Sequence, residues 1–516
     1  MFIQILLFTI SLTLTLLFFL YGFNHYYLLS ATRKYKKPTL PENIGYQSTV
    51  SIHLPVYNER YVIRRLVAAC AEMAESYGIE KVNIKILDDS TDDTSSEIDK
   101  IIEEYKQKHL NIEVIRRESR KGFKAGALQL ALNQTSEEFI AVFDADFIPP
   151  ADFLLRTLPY FAQTESLGIV QSRWTHLNRE YNPLTKAIAI GIDVHFLIEQ
   201  TGRYAAGLFQ NFNGSGGVLR KRAIQEAGGW QSDTLAEDLD LSYRMQIRGY
   251  HILFLKDLQS PGEIPPTVPS FKKQQGRWAC GSLRTARKIL PELLQNRDIG
   301  WRQRLQSFIH LTSYILHPLM FLSFLLICTV TIFGVNNVEG NNTNSFLFLS
   351  RSNGTLIFNS VVALKSIGWD LLIMAIVICT FAPWLSMIVS LRSQNLSVSR
   401  NLVSLMITFL LGFGISLNNT IEAGKALLTN RIWDFNRTPK YANMQDGRDW
   451  QMKRYQVPLD ITWVLELVLI CLGGIAIGIG VWHSNFGALA ILIPYTTAYA
   501  FVFSLTIIQS RKEKTL

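Results

Sequence analysis

Two apolar, strand-like runs in this chain end on acids: VNIKIL leads into Asp88-Asp89, and FIAVF into Asp144-Ala145-Asp146. Further along come Glu237-Asp238 and then Gln274-Gln275-Gly276-Arg277-Trp278. Carboxylates at strand C-termini in an α/β sheet face the crevice in which ligands bind. Gathered there, they repel one another unless a cation or a basic ligand joins them. A divalent metal carrying a phosphorylated substrate meets that cost.

The surrounding pattern fits an α/β core. VSIHLPV, VNIKILDD, NIEVIRR and FIAVFDAD read as strands. Helical stretches at Glu59 to Ala74, Thr94 to Lys106, Lys121 to Leu132 and Asp152 to Phe161 follow them in turn. This alternation predicts βαβ units around a parallel sheet. GIVQSRW, the Gly-rich FNGSGGVLRKRAI and the polar DTLAEDLDLSYRMQIRG form a less regular second half, without internal repeats or a long linker. The first strand-to-helix turn reads Pro55-Val56-Tyr57-Asn58-Glu59 instead of G-x-G-x-x-G, and no Walker motif occurs. Phosphate is therefore expected on metal and carboxylates, not on a glycine-rich loop.

Hydropathy divides the 516 residues. Phe2 to Phe23 is uncharged, long enough to cross a bilayer, and followed by the basic Arg33, Lys34, Lys36 and Lys37. A signal peptide would carry its charges before the apolar core and a small-residue cleavage site after it, so a retained anchor is expected. Further spans are expected at Leu311–Phe333, Trp369–Leu391, Ile461–Val481 and Phe486–Ile508. The positive-inside rule puts Tyr46 to Arg304 in the cytosol and Gly334 to Ser366 outside. The sequons at Asn341 and Asn353 agree with that. Leu402–Ile421 is polar inside, with Ser404, Asn418, Asn419 and Thr420. If it crossed, the loop from Glu422 to Gln456, with seven Lys/Arg against four Asp/Glu, would lie outside. An interfacial or re-entrant segment keeps that loop cytosolic and gives five crossings. The net charge of +9 is then mostly topological, and nucleic acid is excluded as a partner because the basic residues flank membrane segments. The five cysteines are widely spaced, three of them in apolar spans, and suggest neither disulfides nor a thiolate metal site.

Each motif has an ordinary structural reading beside the chemical one. D-x-D can be a strand-ending turn, or it can hold Mg²⁺ or Mn²⁺ through hard oxygen ligands. Asp92 or Asp93 suits a cap on the helix from Thr94, whereas Asp88 and Asp89 on the strand end can meet a ribose or a base. Glu237-Asp238 can simply favour a helix N-terminus, or Asp238 can serve as a general base. Lys124 can be a surface residue or neutralise a diphosphate. Gln274, Arg277 and Trp278 can be an interfacial stretch, or a sugar-stacking indole beside a phosphate-binding guanidinium. His53, His176 and His195 are isolated in sequence and read as structural.

The order of these motifs carries more than any one of them. PVYNE, LDDSTDDT, KGFKAGAL, FDADF, FNGSGGVLR, AEDLDLSYR and QQGRW resemble the membrane-bound, processive family 2 glycosyltransferases, the cellulose and hyaluronan synthase group. The wording is closest to the cellulose-synthase-like A group, the glucomannan mannosyltransferases. The similarity runs from Thr49 to about Ser282. It implies an α/β GT-A (Rossmann-like) catalytic domain on the cytosolic face of an α-helical transmembrane region. By matching motifs, Pro55, Tyr57, Glu59, Asp88, Asp89, Lys124 and Asp144 would bind the donor nucleotide. Asp144 and Asp146 would hold Mg²⁺ or Mn²⁺, and Asp238 would be the base. Glu237, Gln274, Arg277 and Trp278 would bind the acceptor. Phe435-Asn436-Arg437-Thr438-Pro439-Lys440 resembles the family's gating loop F-x-V-T-x-K, with Arg437 in place of Val.

The resulting expectation is an inverting transfer of a hexose from GDP-mannose or UDP-glucose to a growing β-linked polysaccharide, coupled to membrane export. Trp278, Trp384 and Trp433 would mark the polymer's path. The alternatives are a synthase that adds one sugar to a lipid, and a nucleotide-regulated transporter or channel. The expected domains are an anchor at 1–30, a cytosolic GT-A domain at 46–290, an interfacial helix at 291–310, and transmembrane helices from 311 to 516. The last include the interfacial segment 402–421 and a cytosolic loop at 422–459. The expected location is the cell membrane, or the Golgi membrane of a eukaryote.

Overall fold

In the computed structural model the described residues are 2–41, 48–333, 381–429, 440 and 460–511. Seven strands form one sheet: β1 (Val50–Val56), β2 (Val82–Asp88), β3 (Ile112–Arg116), β4 (Phe139–Val142), β5 (Leu167–His176), β6 (Gly217–Arg220) and β7 (His251–Gly262). Their order is β3-β2-β1-β4-β6-β5-β7. The first four pair in parallel as expected, but β6 runs antiparallel to both β4 and β5, so the sheet is mixed. β5 and β7 are parallel again.

Up to Phe333 the helices, in chain order, are α1 (Phe2–Thr32), α2 (Ile63–Tyr77), α3 (Thr94–Gln107), α4 (Phe123–Asn133), α5 (Phe153–Thr157), α6 (Pro183–Val194), α7 (Thr201–Ala205), α8 (Lys221–Glu226), α9 (Glu237–Ile247), α10 (Val268–Gln295), α11 (Trp301–Leu311) and α12 (Leu316–Phe333). α2 starts four residues later than its apolar pattern predicts. Asn58 sits at φ +55°, and Glu59 and the residues after it close a turn before the helix begins. The helix expected from Asp152 to Phe161 tightens at Pro159 into a 3₁₀ turn, Leu158–Ala162. The segment expected as one interfacial helix at 291–310 is two pieces: α10 runs on to Gln295, and α11 starts after Gly300.

Two compact units result. The first comprises Leu28–Thr312 with the described residues of 422–457. The strands β1, β2, β4 and β6 are buried on both faces, which explains their near-continuous apolar sequence. Alternate residues of β4 feed different cores. Phe139 and Ala141 join Ile52, Leu54, Leu66 and Ile98 on one face, while Ile140 and Val142 join Leu128, Leu219 and Leu241 on the other. Two buried polar side chains of this layer show how it is tied together. His53 Nε2 lies 3.0 Å from Thr135 Oγ1, and burial pushes the imidazole down to about 3, so it stays neutral. The Arg220 guanidinium lies near the Phe139 and Phe161 rings and donates to the carbonyls of Phe161, Thr164 and Leu167.

The second unit holds the described residues of 1–27, 313–421 and 458–516. Among the described residues four helices are long and apolar enough to cross a membrane: Leu12–Thr32, Ser313–Phe333, Thr462–Trp482 and Phe486–Ser510. Ser399–Gly414 and Ser416–Leu428 meet at a 42° bend, a broken span or a re-entrant pair. The break sits where the sequence turns polar, and Ser416 Oγ bonds Tyr499 Oη at 2.8 Å. The expected span Trp369–Leu391 is described only from residue 381, where the chain is helical. Trp384 packs on Phe409 at 5.4 Å. Both sequons, Trp433 and Phe435 to Pro439 lie outside the described residues.

Phe143 links this core to the acids that follow it. It is fully buried and packs edge-on against Phe153, with ring centroids 5.0 Å apart. Phe143→Ala should lower stability by about 3–5 kcal/mol, measured by denaturant unfolding of the purified chain followed by tryptophan fluorescence. An unchanged midpoint and slope would show that Phe143 is not a core support.

Candidate active site

The C-terminal ends of β1, β2, β4, β5 and β7 open into a cavity of about 190 Å³. Its wall contains Pro55, Tyr57, Glu59, Asp89, Lys124, Asp144, Asp146, Glu237, Asp238, Gln274, Arg277 and Trp278. Of the residues expected from sequence, Asp88 alone is not in it. Its side chain is fully buried, accepts from the Ser90 N–H at 3.0 Å and pairs with Arg116 at 2.9 Å. It is the last residue of β2, so its side chain points into the sheet's flank while that of Asp89 turns to the cavity. Asp88 therefore shapes the turn that leads to Asp89.

Asp89 is fixed by Arg117, whose Nε donates to Oδ1 at 2.8 Å and whose second nitrogen bonds Oδ2. The same guanidinium donates to the carbonyls of Lys121 and Phe123, tying Asp89 to the turn that precedes α4. Across the cavity mouth the Arg120 guanidinium lies 3.4 Å from the Tyr57 ring centroid, a cation–π contact. Asn58 joins the two turns, donating its N–H to Ser90 Oγ and accepting from Thr91 N–H.

Lys124 enters from the first turn of α4. Its ammonium lies 2.7 Å from Asp144 Oδ1 and 3.5 Å from Glu237 Oε1, and it donates to the Gly214 carbonyl at 2.9 Å. Burial would lower its pKa, but Asp144, Glu237 and Asp238 outweigh that and raise it. Asp146 is held from beneath. Its Oδ2 accepts from the Glu263 N–H at 3.1 Å and from the Lys440 ammonium at 2.6 Å. Arg65 donates to the Asp146 carbonyl and pairs with the Glu263 carboxylate at 2.8 Å.

Glu237 and Asp238 open α9, where the helix dipole favours acids. Burial pushes the Asp238 carboxyl up to about 7, and the neighbouring Glu237 adds to the rise. Gly214 lies against it at φ +80°; a Cβ there would sit 2.7 Å from Asp238 Oδ2. Only glycine fits that approach. Gln274, Arg277 and Trp278 share one face of α10 at the i, i+3, i+4 spacing, which settles them as cavity residues. Burial holds the Arg277 guanidinium below its ordinary pKa.

Several residues in the cavity wall, or bonded to it, carried no recognised motif. Trp174 on β5 donates its indole N–H to the Ser215 carbonyl. His176 pairs with buried Asp193 at 3.2 Å, and Arg179 grips the same carboxylate at 2.6 Å. His195 bonds Asn213 and Glu199. Neither histidine is isolated in the fold. The basic pair Arg116-Arg117, facing the acidic pair Asp88-Asp89, was the sequence signal for the ion pairs of those two acids.

This geometry has known counterparts. Residues 139–413 match the family described as "Glycosyl transferase family group 2", and residues 51–224 match "Glycosyl transferase family 2". The chain is 34% identical over 313 residues to glucomannan 4-beta-mannosyltransferase 1 of Oryza sativa subsp. japonica, covering 58% of this chain and 60% of that protein. It is 34% identical over 290 residues to glucomannan 4-beta-mannosyltransferase 2 of Arabidopsis thaliana, covering 55% and 54%. The chain thus spans a little over half the length of these relatives. The fold is similar to that of the mannosyltransferase PcManGT from Pyrobaculum calidifontis, solved with GDP-Man and Mn²⁺. There the TM-score is 0.50 at 18% identity, over 73% of this chain and 99% of that one. With its mixed GT-A sheet, its cavity of paired acids and a family match across more than half its length, the chain belongs to glycosyl transferase family group 2.

Proposed function

We propose that this chain is an inverting hexosyltransferase, moving a hexose from a nucleotide diphosphate sugar to a hydroxyl at the end of a β-linked polysaccharide. The observation that carries this reading is Asp238, a buried carboxylate with a raised pKa, in one cavity wall with Lys124, Gln274, Arg277 and Trp278. The name shared by the relatives, glucomannan 4-beta-mannosyltransferase, supports mannose from GDP-mannose ahead of glucose from UDP-glucose.

In this reading Tyr57, under Arg120, offers the nucleobase a stacking face, and Asp89 accepts from the ribose hydroxyls. Asp238 takes the proton of the acceptor hydroxyl as that oxygen attacks the anomeric carbon from the side opposite the diphosphate. A single displacement of this kind inverts the configuration. Lys124 and Arg277 supply positive charge for the departing diphosphate. Trp278 offers a flat apolar face to a sugar ring, a contact that tolerates sliding.

Asp144 and Asp146 would hold a divalent metal. Their hard oxygens suit Mg²⁺ or Mn²⁺, and the Asp144 side chain is about a third exposed to the cavity. Asp146 already accepts one cation, the Lys440 ammonium, so the position suits positive charge. Among the described residues no cluster of three or more His, Cys, Asp or Glu forms a complete cage, so substrate oxygens would fill the remaining positions. When bound, such an ion stabilises the charge of the leaving diphosphate.

The domain arrangement expected from sequence is part of the proposal, with the catalytic unit cytosolic. Lys440 reaching Asp146 supports a loop after Leu402–Ile421 on the catalytic side, and hence a re-entrant pair. The exposed Trp301, Leu305 and Phe308, on one side of α11, support an interfacial helix there.

Two outcomes test the chemistry. A base with a pKa near 7 works only when deprotonated, so kcat/KM should rise with pH through about 7 and level off above it. Asp238→Asn should lower turnover by about 10²–10⁴-fold and remove that acidic limb; near-normal turnover would take Asp238 out of this role. Chelation should abolish nucleoside diphosphate release, with Mg²⁺ or Mn²⁺ restoring it. Full activity in excess EDTA, with no metal retained, would contradict the metal assignment.

A further inference from the structure

Asp146 is tied to the residue after β7 by a closed ring of contacts. Its Oδ2 accepts from the Glu263 backbone N–H at 3.1 Å and from the Lys440 ammonium at 2.6 Å. The Glu263 carboxylate pairs at 2.8 Å with Arg65 Nη2, and the same nitrogen donates back to the Asp146 carbonyl at 3.2 Å. One guanidinium nitrogen, on the first turn of α2, thus touches both of the residues that already hold each other.

The backbone on either side of the ring is fixed as well. Ile148 donates its N–H to the Pro261 carbonyl, and Leu177 donates to the Gly262 carbonyl. Asn178 brackets Ile264, accepting its N–H on Oδ1 at 3.0 Å and donating Nδ2 to its carbonyl at 2.8 Å. At Gly262 the Phe147 ring comes so close that a Cβ would sit 2.9 Å from its Cζ. Glu263 is therefore a fixed point, and the Asp146 carboxylate takes the orientation that Glu263 sets.

Stability does not account for this arrangement. The Glu263 side chain is 3% exposed, and a buried ion pair returns little over an apolar pair of the same volume. Arg65 Nε and Nη1 are also buried without a hydrogen-bond partner among the described residues, which adds to the cost. What the ring does fix is a carboxylate in the cavity wall. With Oδ2 engaged twice, Oδ1 takes no hydrogen bond among the described residues and is the oxygen left for a metal ion.

We propose that Arg65 and Glu263 are positioning residues for the divalent metal, acting as one unit that holds Asp146 with Oδ1 available and so sets the affinity of the ion. The proposal rests on the reading of Asp144 and Asp146 as metal ligands. Neither Arg65 nor Glu263 touches the ion; both act through Asp146, as residues behind a metal ligand do when they fix its direction.

The test uses the full chain in nanodiscs, with Mn²⁺ binding followed by electron paramagnetic resonance in the presence of GDP and no sugar donor. Arg65→Met and Glu263→Gln should each weaken Mn²⁺ binding about 10–100-fold, the usual loss when a residue that orients a metal ligand is removed. The double variant should be no weaker than the weaker single, because the two residues act together. GDP binding in EDTA should be unchanged in all three, since Tyr57 and Asp89 lie outside the ring; a merely structural role would lower it too. In turnover the KM for Mn²⁺ should rise while kcat recovers at saturating metal. The double variant leaves neither charge unpaired, so it decides the question even where a single variant fails to fold. Unchanged Mn²⁺ affinity in the double variant, additive losses in the singles, or an equal loss of metal-free GDP binding would overturn the proposal. If the unmodified protein binds no Mn²⁺, the metal reading itself fails and takes the proposal with it; Mn²⁺ binding that the variants leave untouched removes the proposal alone.

Discussion

Lys124 places a positive charge 2.7 Å from Asp144 and 3.5 Å from Glu237, where the strand ends gather carboxylates that would otherwise repel one another. The site is built outward from that neutralisation. Asp89 goes to Arg117, Asp146 to Lys440, Glu263 to Arg65 and Asp240 to Arg244 and Lys288. Among the described residues Asp238 makes no direct ion pair, although Lys124 stands nearby. The Leu239 N–H and the nearby Lys124 offset its burial only in part, which is why its carboxyl rises while its neighbours stay committed to their partners. A proton acceptor near neutrality is what this distribution leaves.

Backbone geometry serves the same end. Gly214 brings a carbonyl to Lys124 and a bare Cα to Asp238, an approach that a side chain would block. Phe123, at φ +49°, follows the left-handed Gly122 and starts α4 so that Lys124 enters the cavity; the Arg117 guanidinium pins this turn through two carbonyls. For a residue as large as Phe this backbone is costly, and it persists because the surrounding bonds over-determine it.

The first half of the fold was legible because β1 to β4 are local, apolar and separated by helices with clear periodicity. β6 was not. Its antiparallel place between β4 and β5 depends on pairing across long sequence separations, and GVLR by itself carries no direction. Asp89, Asp144 and Asp146 were legible from their position at strand ends and Glu237 and Asp238 from their place in the motif order, whereas Glu263 beyond β7 was missed and Asp88 was read with Asp89. The two-residue period of a strand sends Asp88 into the flank and Asp89 into the cavity, and the motif Asp88-Asp89 does not distinguish them. His176, His195, Arg120 and Trp174 were hidden for another reason. Their roles are set by partners 17 or more residues away, or by a π-helical turn that hydropathy does not reveal.

The central claim is a single inverting displacement driven by Asp238 on a growing chain. It is tested most directly by the product. Membranes given α-linked GDP-[¹³C]mannose, with UDP-[¹³C]glucose in parallel, should yield a polymer whose anomeric signals are β, with one nucleoside diphosphate released per sugar added. An α-linked product would contradict the single displacement, and a lone sugar on a lipid, never elongated, would contradict the polysaccharide acceptor.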